Sequence, residues 1–394
     1  MRVAILGVGG LGRTLASELR THPRVTALLL ADRKGDRARI LSAIPGRVPI
    51  QAVQLNLENA PALDRAVRGY DVVVNTALPR YNLPVMEAAL RAGADYLDVS
   101  ATGPRTPGGT PGILEQLDLD ARFRAAGRTA LVSMGLDPGM SNVLAKAAAA
   151  TLDAVDAVRI RTASAVDGSG VRTFPLYSRE AFLEDVLVRP TVWLDGSLQE
   201  REPLGEEEAF AFPPPIGACR TFLVSHEETK TVPRFLGKPV RRVDYKAALN
   251  PDLVRALVAM QRLGLLEDRC TVRAGEQRVP FRRALLAAFP EPSALVLPLE
   301  GHEALAVEVE GTRDGRGLVR RADIVLSQQE ANRRRSTNAV HYLTAVGLAI
   351  GIGLVGEKAV GPGAVSAEAL DPARVETEWA ARKLPLAWSE RAAD

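Results

Sequence analysis

Residues 3–6 (Val-Ala-Ile-Leu) run directly into Gly7, Val8, Gly9, Gly10, Leu11 and Gly12. An apolar strand that breaks into G-x-G-x-x-G and continues as a helix constrains the fold more than any other feature of this chain. It predicts the strand, turn and helix that open a doubly wound parallel sheet and hold a dinucleotide. Gly7 allows the tight turn out of the strand. Gly9 has no Cβ, so the backbone can approach a pyrophosphate. The helix starts near Leu11, just after Gly10, both counted as cofactor contacts, and Gly12 lets that helix pack close to the sheet. The free N–H groups and positive end of the helix then face the phosphates.

A glycine-rich turn also occurs for purely structural reasons, so its surroundings matter. Residues 25–31 (VTALLLA) read as a second buried strand ending in Asp32. An acid about 20 residues beyond the turn can accept both hydroxyls of a ribose. The plainer reading of Asp32 is a polar residue at a strand end. Arg33 follows, and could stack on adenine or pair with a 2′-phosphate. The Asp32 carboxylate repels such a phosphate, so NAD is favoured, with NADP left open.

The chain has 394 residues, enough for two domains, with 46% hydrophobic and 25% charged residues. Fifty Lys and Arg against 47 Asp and Glu leave a net charge of +3, too small to argue for nucleic acid or a membrane surface. Arg333, Arg334 and Arg335 form a local basic run, read as a solvated helix. Two cysteines, Cys219 and Cys270, make no disulfide framework, and no Cys/His cluster has the spacing of a metal site. A reducing cytoplasm is expected, and no leader peptide is read at the start. The apolar stretch at residues 339–356 is short for a bilayer and carries His341. It is read as a buried helix.

Strands and helices alternate through about residue 145. Strands are expected at residues 50–55, 71–76, 96–100 and 130–133, with helices at 36–43, 60–68, 84–92 and 114–126. Asn56 and Leu57 follow the third strand, where adenine contacts fall. Asn75, Thr76, Ala77, Leu78 and Pro79 end the fourth. Strand–helix–strand repetition indicates an α/β Rossmann-type doubly wound parallel sheet over residues 1–145. From 146 to 335 the pattern becomes an α+β substrate or dimerisation domain with a mostly antiparallel sheet. Its strands are expected at 155–165, at 192–194 and from 197 onward (a hairpin turning at Asp195 and Gly196), and at 222–225, 240–245, 294–299, 304–310 and 318–326. Residues 336–394 return to helix and are expected to pack back on the Rossmann domain. The Pro/Gly-rich stretch 102–112 reads as a surface loop or lid.

Several segments together resemble the saccharopine dehydrogenase family, which includes saccharopine reductases, lysine 6-dehydrogenases and carboxynorspermidine dehydrogenases. They are the glycine turn with Asp32 and Arg33, the strand at 71–75, the step Ala92-Gly93-Ala94-Asp95-Tyr96-Leu97-Asp98-Val99-Ser100, and Gly135-Leu136-Asp137-Pro138-Gly139-Met140-Ser141-Asn142. Glu228-Thr229-Lys230-Thr231-Val232-Pro233 with Asp244-Tyr245-Lys246 resembles the lysine 6-dehydrogenase branch. There are departures. Residues 162–168 replace the family's Cys-Gly-Gly-Leu-Pro stretch. Ala101 stands where saccharopine reductases have tyrosine. Ala359-Val360-Gly361-Pro362-Gly363 lacks the glutamate of the C-terminal motif. The first two departures touch the substrate side, not the cofactor side.

The resemblance implies an NAD(P)-dependent dehydrogenase or reductase that moves a hydride between nicotinamide and a carbon bearing nitrogen. The substrate would be an amino acid or an amino-acid-derived secondary amine. A proton must also move on or off the nitrogen. Asp98, Ser100 and Asp137 fall at carboxyl ends of strands, where ligands bind in such sheets. Leu78, Pro79, Val99 and Leu136 would line the nicotinamide side, with Asp98 also near the cofactor. Asp137 is the first candidate for the carboxylate beside the reacting amine; the other reading is that it caps the following helix. Asp98 and His226 are further catalytic candidates. The plainer reading of Asp98 is a satisfied strand-end acid, and that of His226 a surface histidine. Ser100, Asp137, Tyr245 and Lys246 are candidate substrate contacts, with Arg172, Arg220 and Arg234 as outside candidates. A homodimer is compatible with an open sheet face. A reading from another class is an NAD(P)-binding sensor or scaffold without turnover.

Overall fold

The computed structural model describes residues 1–42, 46–101, 112–166, 170–171, 175–290, 292 and 299–393. Most of the expected strand at 294–299, nearly all of the loop at 102–112, and Arg172 lie outside the described residues.

The first sheet begins with β1 (Arg2–Leu6), β2 (Ala27–Asp32), β3 (Ile50–Gln54), β4 (Val72–Asn75), β5 (Asp95–Asp98) and β6 (Thr129–Val132). All pair in parallel. Burial on both faces explains why β1, β2 and β4 are nearly continuous apolar sequence. Val3 and Ile5 enter one core and Ala4 and Leu6 the other, so helices must cover both faces. β1 lies between β4 and β2, and chain direction along the sheet reverses there. The crevice beyond the carboxyl ends of β1 and β4 is therefore the natural ligand site.

The second sheet is built from β7 (Ala154–Val166), β8 (Gly170–Val171), β9 (Thr191–Leu194), β10 (Ser197–Glu200), β11 (Glu208–Ala211), β12 (Ala218–Leu223) and β13 (Arg242–Ala248). A separate hairpin, β14 (Thr271–Ala274) with β15 (Gln277–Pro280), precedes its long strands β16 (His302–Arg313) and β17 (Arg316–Ser327). The pairing is antiparallel except between β13 and β7. One face carries Val158, Ile160, Val243, Tyr245, Leu305 and Val307, which share a core with the first domain through Val143 and Leu144 of the helix Met140–Ala150. The other face alternates charges: Arg161 with Asp244 at 2.5 Å, Lys246 with Glu208 at 2.6 Å, Arg159 with Glu310 at 2.7 Å.

The C-terminal segment divides between the two sheets. The helix Ala339–Gly356 is apolar on all sides because 83% of it is buried, and its length and composition alone would suit a membrane span. β18 (Gly363–Ser366) then adds a seventh parallel strand beside β6. β19 (Ala387–Ala392) instead pairs with β17 of the second sheet. The expectation that all of 336–394 packs on the Rossmann domain is corrected on this point. β19 reads Ala-Trp-Ser-Glu-Arg-Ala, too polar to show as a strand in sequence, because it is an exposed edge.

Candidate active site in the interdomain cleft

A cleft of about 540 Å³ runs from the glycine turn into the second domain. That is within the usual range for small-molecule sites. At its first end Gly7 adopts a φ of +100°, open to glycine, and a Cβ there would lie 2.6 Å from Ala77 N. A Cβ on Gly9 would meet nothing within 4 Å, so the chain leaves space beside this backbone for a ligand. A Cβ on Gly12 would press on Thr76 Oγ1 at 2.9 Å. Thr76 in turn donates to the Gly7 carbonyl at 2.6 Å, tying β4 to the turn. The helix Gly10–Leu19 has Gly9 as its cap with no side chain to cover its first N–H groups. Those donors remain available to an anion.

Asp32 ends β2 as expected. Its Oδ2 accepts from Val8 N–H and its Oδ1 from Lys34 N–H, both at 2.7 Å. The carboxylate is thus fixed at the cleft wall with a lone pair left on each oxygen. Gly7, Gly9, Gly10, Leu11, Asp32, Arg33, Asn56, Leu57, Thr76, Ala77, Leu78, Pro79 and Val99 all border the cleft. These residues fit a dinucleotide: a Cβ-free cradle, an open helix terminus and a placed ribose acceptor.

Four cofactor-side expectations lie behind this wall. Gly12 packs on Thr76 as described. Asn75 bonds Asn82 at 2.6 Å and holds Ala77 N–H at 3.0 Å, shaping the wall from inside. Leu136 is buried in the core. Asp98 is corrected as a catalytic or cofactor contact. It is fully buried, accepting from Tyr96 Oη at 2.8 Å, Gln116 Nε2 at 2.5 Å and Ser133 N–H at 2.6 Å. Burial pushes its carboxyl up to about 7 against those bonds. Its position at the strand end made it look exposed, but the inward side of β5 is closed by the helix Ile113–Leu117 that carries Gln116.

At the other end of the cleft the two domains meet. Asp137 follows β6 and Tyr245 lies on β13, and Tyr245 Oη donates to Asp137 Oδ2 at 2.5 Å. Thr162 Oγ1 on β7 is 2.9 Å from the same hydroxyl. Burial raises the Asp137 carboxyl to about 6; the cation His226 and the Tyr245 hydrogen bond pull against that rise. Asp137 does not cap the following helix. That role falls to Gly139, whose N–H donates to Asn142 Oδ1 at 2.8 Å.

His226 is not a surface residue. Its ring stacks on Tyr245 at 3.7 Å, with an interplanar angle of 5°, and its Nδ1 pairs with Glu228. Burial works against its charge, but Glu228 and Glu227 outweigh that and raise it to about 10. His226 is therefore an imidazolium at neutral pH, which does not suit the general-base role considered for it. Behind it, Ser141 Oγ donates to Glu228 at 2.7 Å, and Asn142 Nδ2 donates to Thr231 at 2.9 Å and to Glu368 at 2.7 Å. His226, Glu227 and Glu228 have the side-chain types of a metal site, with ligand atoms within 4.8 Å. Glu227 is committed to Ala101 N–H and Glu228 to Ser141 and His226, so the trio reads as a closed hydrogen-bonded unit.

Ser100 borders the cleft. Lys246 does not: strand alternation turns it to the opposite face from Tyr245, onto Glu208, which corrects its reading as a substrate contact. Arg220 pairs at 3.5 Å with Glu207. Residues not foreseen are Asp185, Tyr177, Glu303 and Ser164, which also border the cleft. Tyr177 donates to Asp185 at 2.9 Å, and burial raises the Asp185 carboxyl to about 8. Their strands and helix carry no motif; only strand parity at Ser164, on the inward face with Thr162, could have hinted at them.

Residues 3–131 match the family described as the saccharopine dehydrogenase NADP binding domain. Over 385 residues the chain is 25% identical to a carboxyaminopropylagmatine dehydrogenase of Synechocystis, covering 94% of this chain and 93% of that one. It is 25% identical over 333 residues to a carboxynorspermidine synthase of Vibrio cholerae, covering 80% and 79%. Its fold matches apo saccharopine dehydrogenase (L-Glu forming) from Saccharomyces cerevisiae, with a TM-score of 0.72 at 15% identity over 99% of this chain and 100% of that one. It also matches the homospermidine synthase of Legionella pneumophila in complex with NAD, with a TM-score of 0.70 at 17% identity over 100% and 91%. Residues 3–131 thus carry a nucleotide-binding domain of the saccharopine dehydrogenase kind, and the whole chain is similar in sequence and fold to NAD(P)-dependent oxidoreductases of that type.

Proposed function

We propose that the chain interconverts an imine and a secondary amine on a cationic, amino-acid-derived substrate of the carboxyalkylated diamine or polyamine kind, with NAD as the preferred cofactor. The observation that carries the substrate reading is the charge of the cleft. Asp137, Asp185, Glu227 and Glu303 border its second-domain end; of the cations there, His226 is paired with Glu228 and Arg179 donates to the Phe289 carbonyl at 2.7 Å, while Arg33, Arg37 and Arg80 also border the cleft, Arg80 3.9 Å from Glu180. Such a wall suits ammonium groups and disfavours a substrate as rich in carboxylates as saccharopine. Burial raises Asp137 and Asp185 in the free protein. An arriving ammonium favours their ionised forms and is itself bound more tightly. The two relatives named for carboxylated amines point the same way.

When bound, the nicotinamide supplies or accepts the hydride. The chain does the rest. Asp137 takes the proton from, or returns it to, the substrate nitrogen, and a carboxyl near 6 can do both close to neutral pH. Tyr245 holds Oδ2, which leaves Oδ1 for the nitrogen. The His226 imidazolium, stacked on Tyr245, keeps that phenol and its acid in register. For the cofactor, Asp32 accepts ribose hydroxyls and repels a 2′-phosphate, which supports NAD over NADP. A lysine 6-dehydrogenase-like activity is a second reading, because the same acids would hold a free lysine side chain.

The test is absorbance at 340 nm with purified protein. NAD and NADP are each tried with carboxynorspermidine, lysine and saccharopine. Turnover with the carboxylated polyamine and NAD supports the reading. Turnover with saccharopine alone overturns it.

A further inference from the structure

The helix Ala339–Gly356 reaches the cofactor end of the cleft with its first turn, where Val340, His341 and Thr344 border the cavity. Asn338 caps this helix, its Oδ1 accepting His341 N–H at 2.8 Å. Asn338 Nδ2 donates to the Leu176 carbonyl at 2.9 Å and lies 3.2 Å from His341 Nδ1. An amide nitrogen only donates, so Nδ1 accepts and the ring proton sits on Nε2. Burial, helped by the field of Arg13, holds the imidazole down to about 4. The ring is therefore neutral at physiological pH.

That ring lies against the glycine turn. A Cβ on Gly10 would stand 2.6 Å from His341 Nδ1 and 3.1 Å from Nε2. Gly10 opens the helix whose first N–H groups no side chain covers. His341 is only 9% exposed, and its Nε2–H has no partner among the described residues. A donor on the cleft wall beside an open helix terminus is left for a ligand. The space left at Gly9 lies in the same turn.

We infer that His341 is a cofactor-binding residue, whose Nε2–H donates to the pyrophosphate of the dinucleotide across from the glycine turn. The C-terminal segment thereby completes a site that the first domain only half encloses. This rests on the NAD(P) reading above. A neutral donor binds the anion without placing a second buried charge beside the helix terminus.

The full chain, His341→Phe and His341→Gln are titrated calorimetrically with NAD, ADP-ribose and adenosine, and thermal melts report folding. His341→Leu replaces the Phe variant if the larger ring unfolds the protein. Loss of a hydrogen bond to an anion predicts that the Phe variant binds NAD and ADP-ribose about tenfold or more weakly, with adenosine within about twofold. The Gln variant, which keeps a donor, recovers most of that loss. Unchanged NAD affinity in the Phe variant overturns the inference. So does an equal loss for adenosine, or a Gln variant as weak as Phe; either means the ring only supports the turn. A wild-type chain that binds neither NAD nor NADP fails earlier and removes the cofactor reading itself.

Discussion

The Tyr245 hydroxyl donates to Asp137 Oδ2 at 2.5 Å, and this bond joins a strand of the second domain to the loop that ends the first. It also lowers the Asp137 carboxyl, which burial has raised to about 6. In the role proposed for it, Asp137 must be ionised to take a proton in the oxidative direction, so activity should be lost as pH falls through about 6. Tyr245→Phe removes one support of the carboxylate and moves that acid limb to higher pH. Asp137→Asn removes the limb and lowers kcat by roughly 10²- to 10⁴-fold, with NAD affinity unchanged. A pH–rate profile of both variants checks this. An Asp137→Asn enzyme with wild-type kcat would leave the residue a structural role only.

Stability should fall as pH rises from 6 to 10. His226 is raised from 6.5 to about 10, so its stabilising effect is complete below 6.5 and is lost as pH climbs to about 10. Asp98 and Asp185 are raised from 3.8 to about 7 and about 8 by burial, and their preference for the protonated native state fades over that lower window. The two effects have the same sign. Thermal melts across pH 6–10 measure the slope. His226→Gln should flatten it above pH 8, and a variant as steep as wild type would show that the imidazolium is not the source.

Asp32 serves two structural N–H groups besides the ribose contact proposed for it, so its variants need two readouts. Asp32→Asn keeps one carbonyl oxygen for Val8 or Lys34 and should remain folded. It should bind NAD about tenfold or more weakly, because a hydrogen bond to a charged acceptor is lost. It should also narrow the gap between NAD and NADP, since the charge that repels a 2′-phosphate is gone. Fluorescence titration with both cofactors tests this. NAD affinity equal to wild type, with an intact melt, would end the ribose assignment.

The glycine-turn end of the cleft was legible because it is local: Gly7, Gly9, Gly10 and Asp32 sit within one strand–helix–strand unit and all border the cleft. Asp137 and Tyr245 could be named singly, but their bond spans 108 residues and no periodicity reports it. Strand parity was available for Lys246: once Tyr245 faces inward, its neighbour cannot. Asp98 misled because a strand end in sequence does not show the helix that closes over it. Asp185, Glu303 and His341 were unreadable as site residues, since a single acid or a histidine in an apolar helix has many plainer roles. What makes them notable is the shared cleft, which only tertiary packing creates.

Glu303 gives the sharpest test of the substrate class. It lies on β16 at the cleft wall, 4% exposed, and accepts from Ser164 across the β7–β16 ladder. Glu303→Gln keeps the volume and an acceptor for Ser164 while removing the charge, so folding should be retained. If the acid holds a distal ammonium, KM for a polyamine-derived substrate should rise about ten- to a hundredfold, the range of one charge-assisted hydrogen bond. The kcat should stay within about threefold, because the ammonium is bound equally in ground and transition states. A substrate lacking the second amine should show no change in KM. Steady-state kinetics on the two substrates separate these outcomes. An equal rise for both would mean that Glu303 shapes the cleft and does not read charge, and a fall in kcat with KM unchanged would place it with Asp137 at the reacting nitrogen.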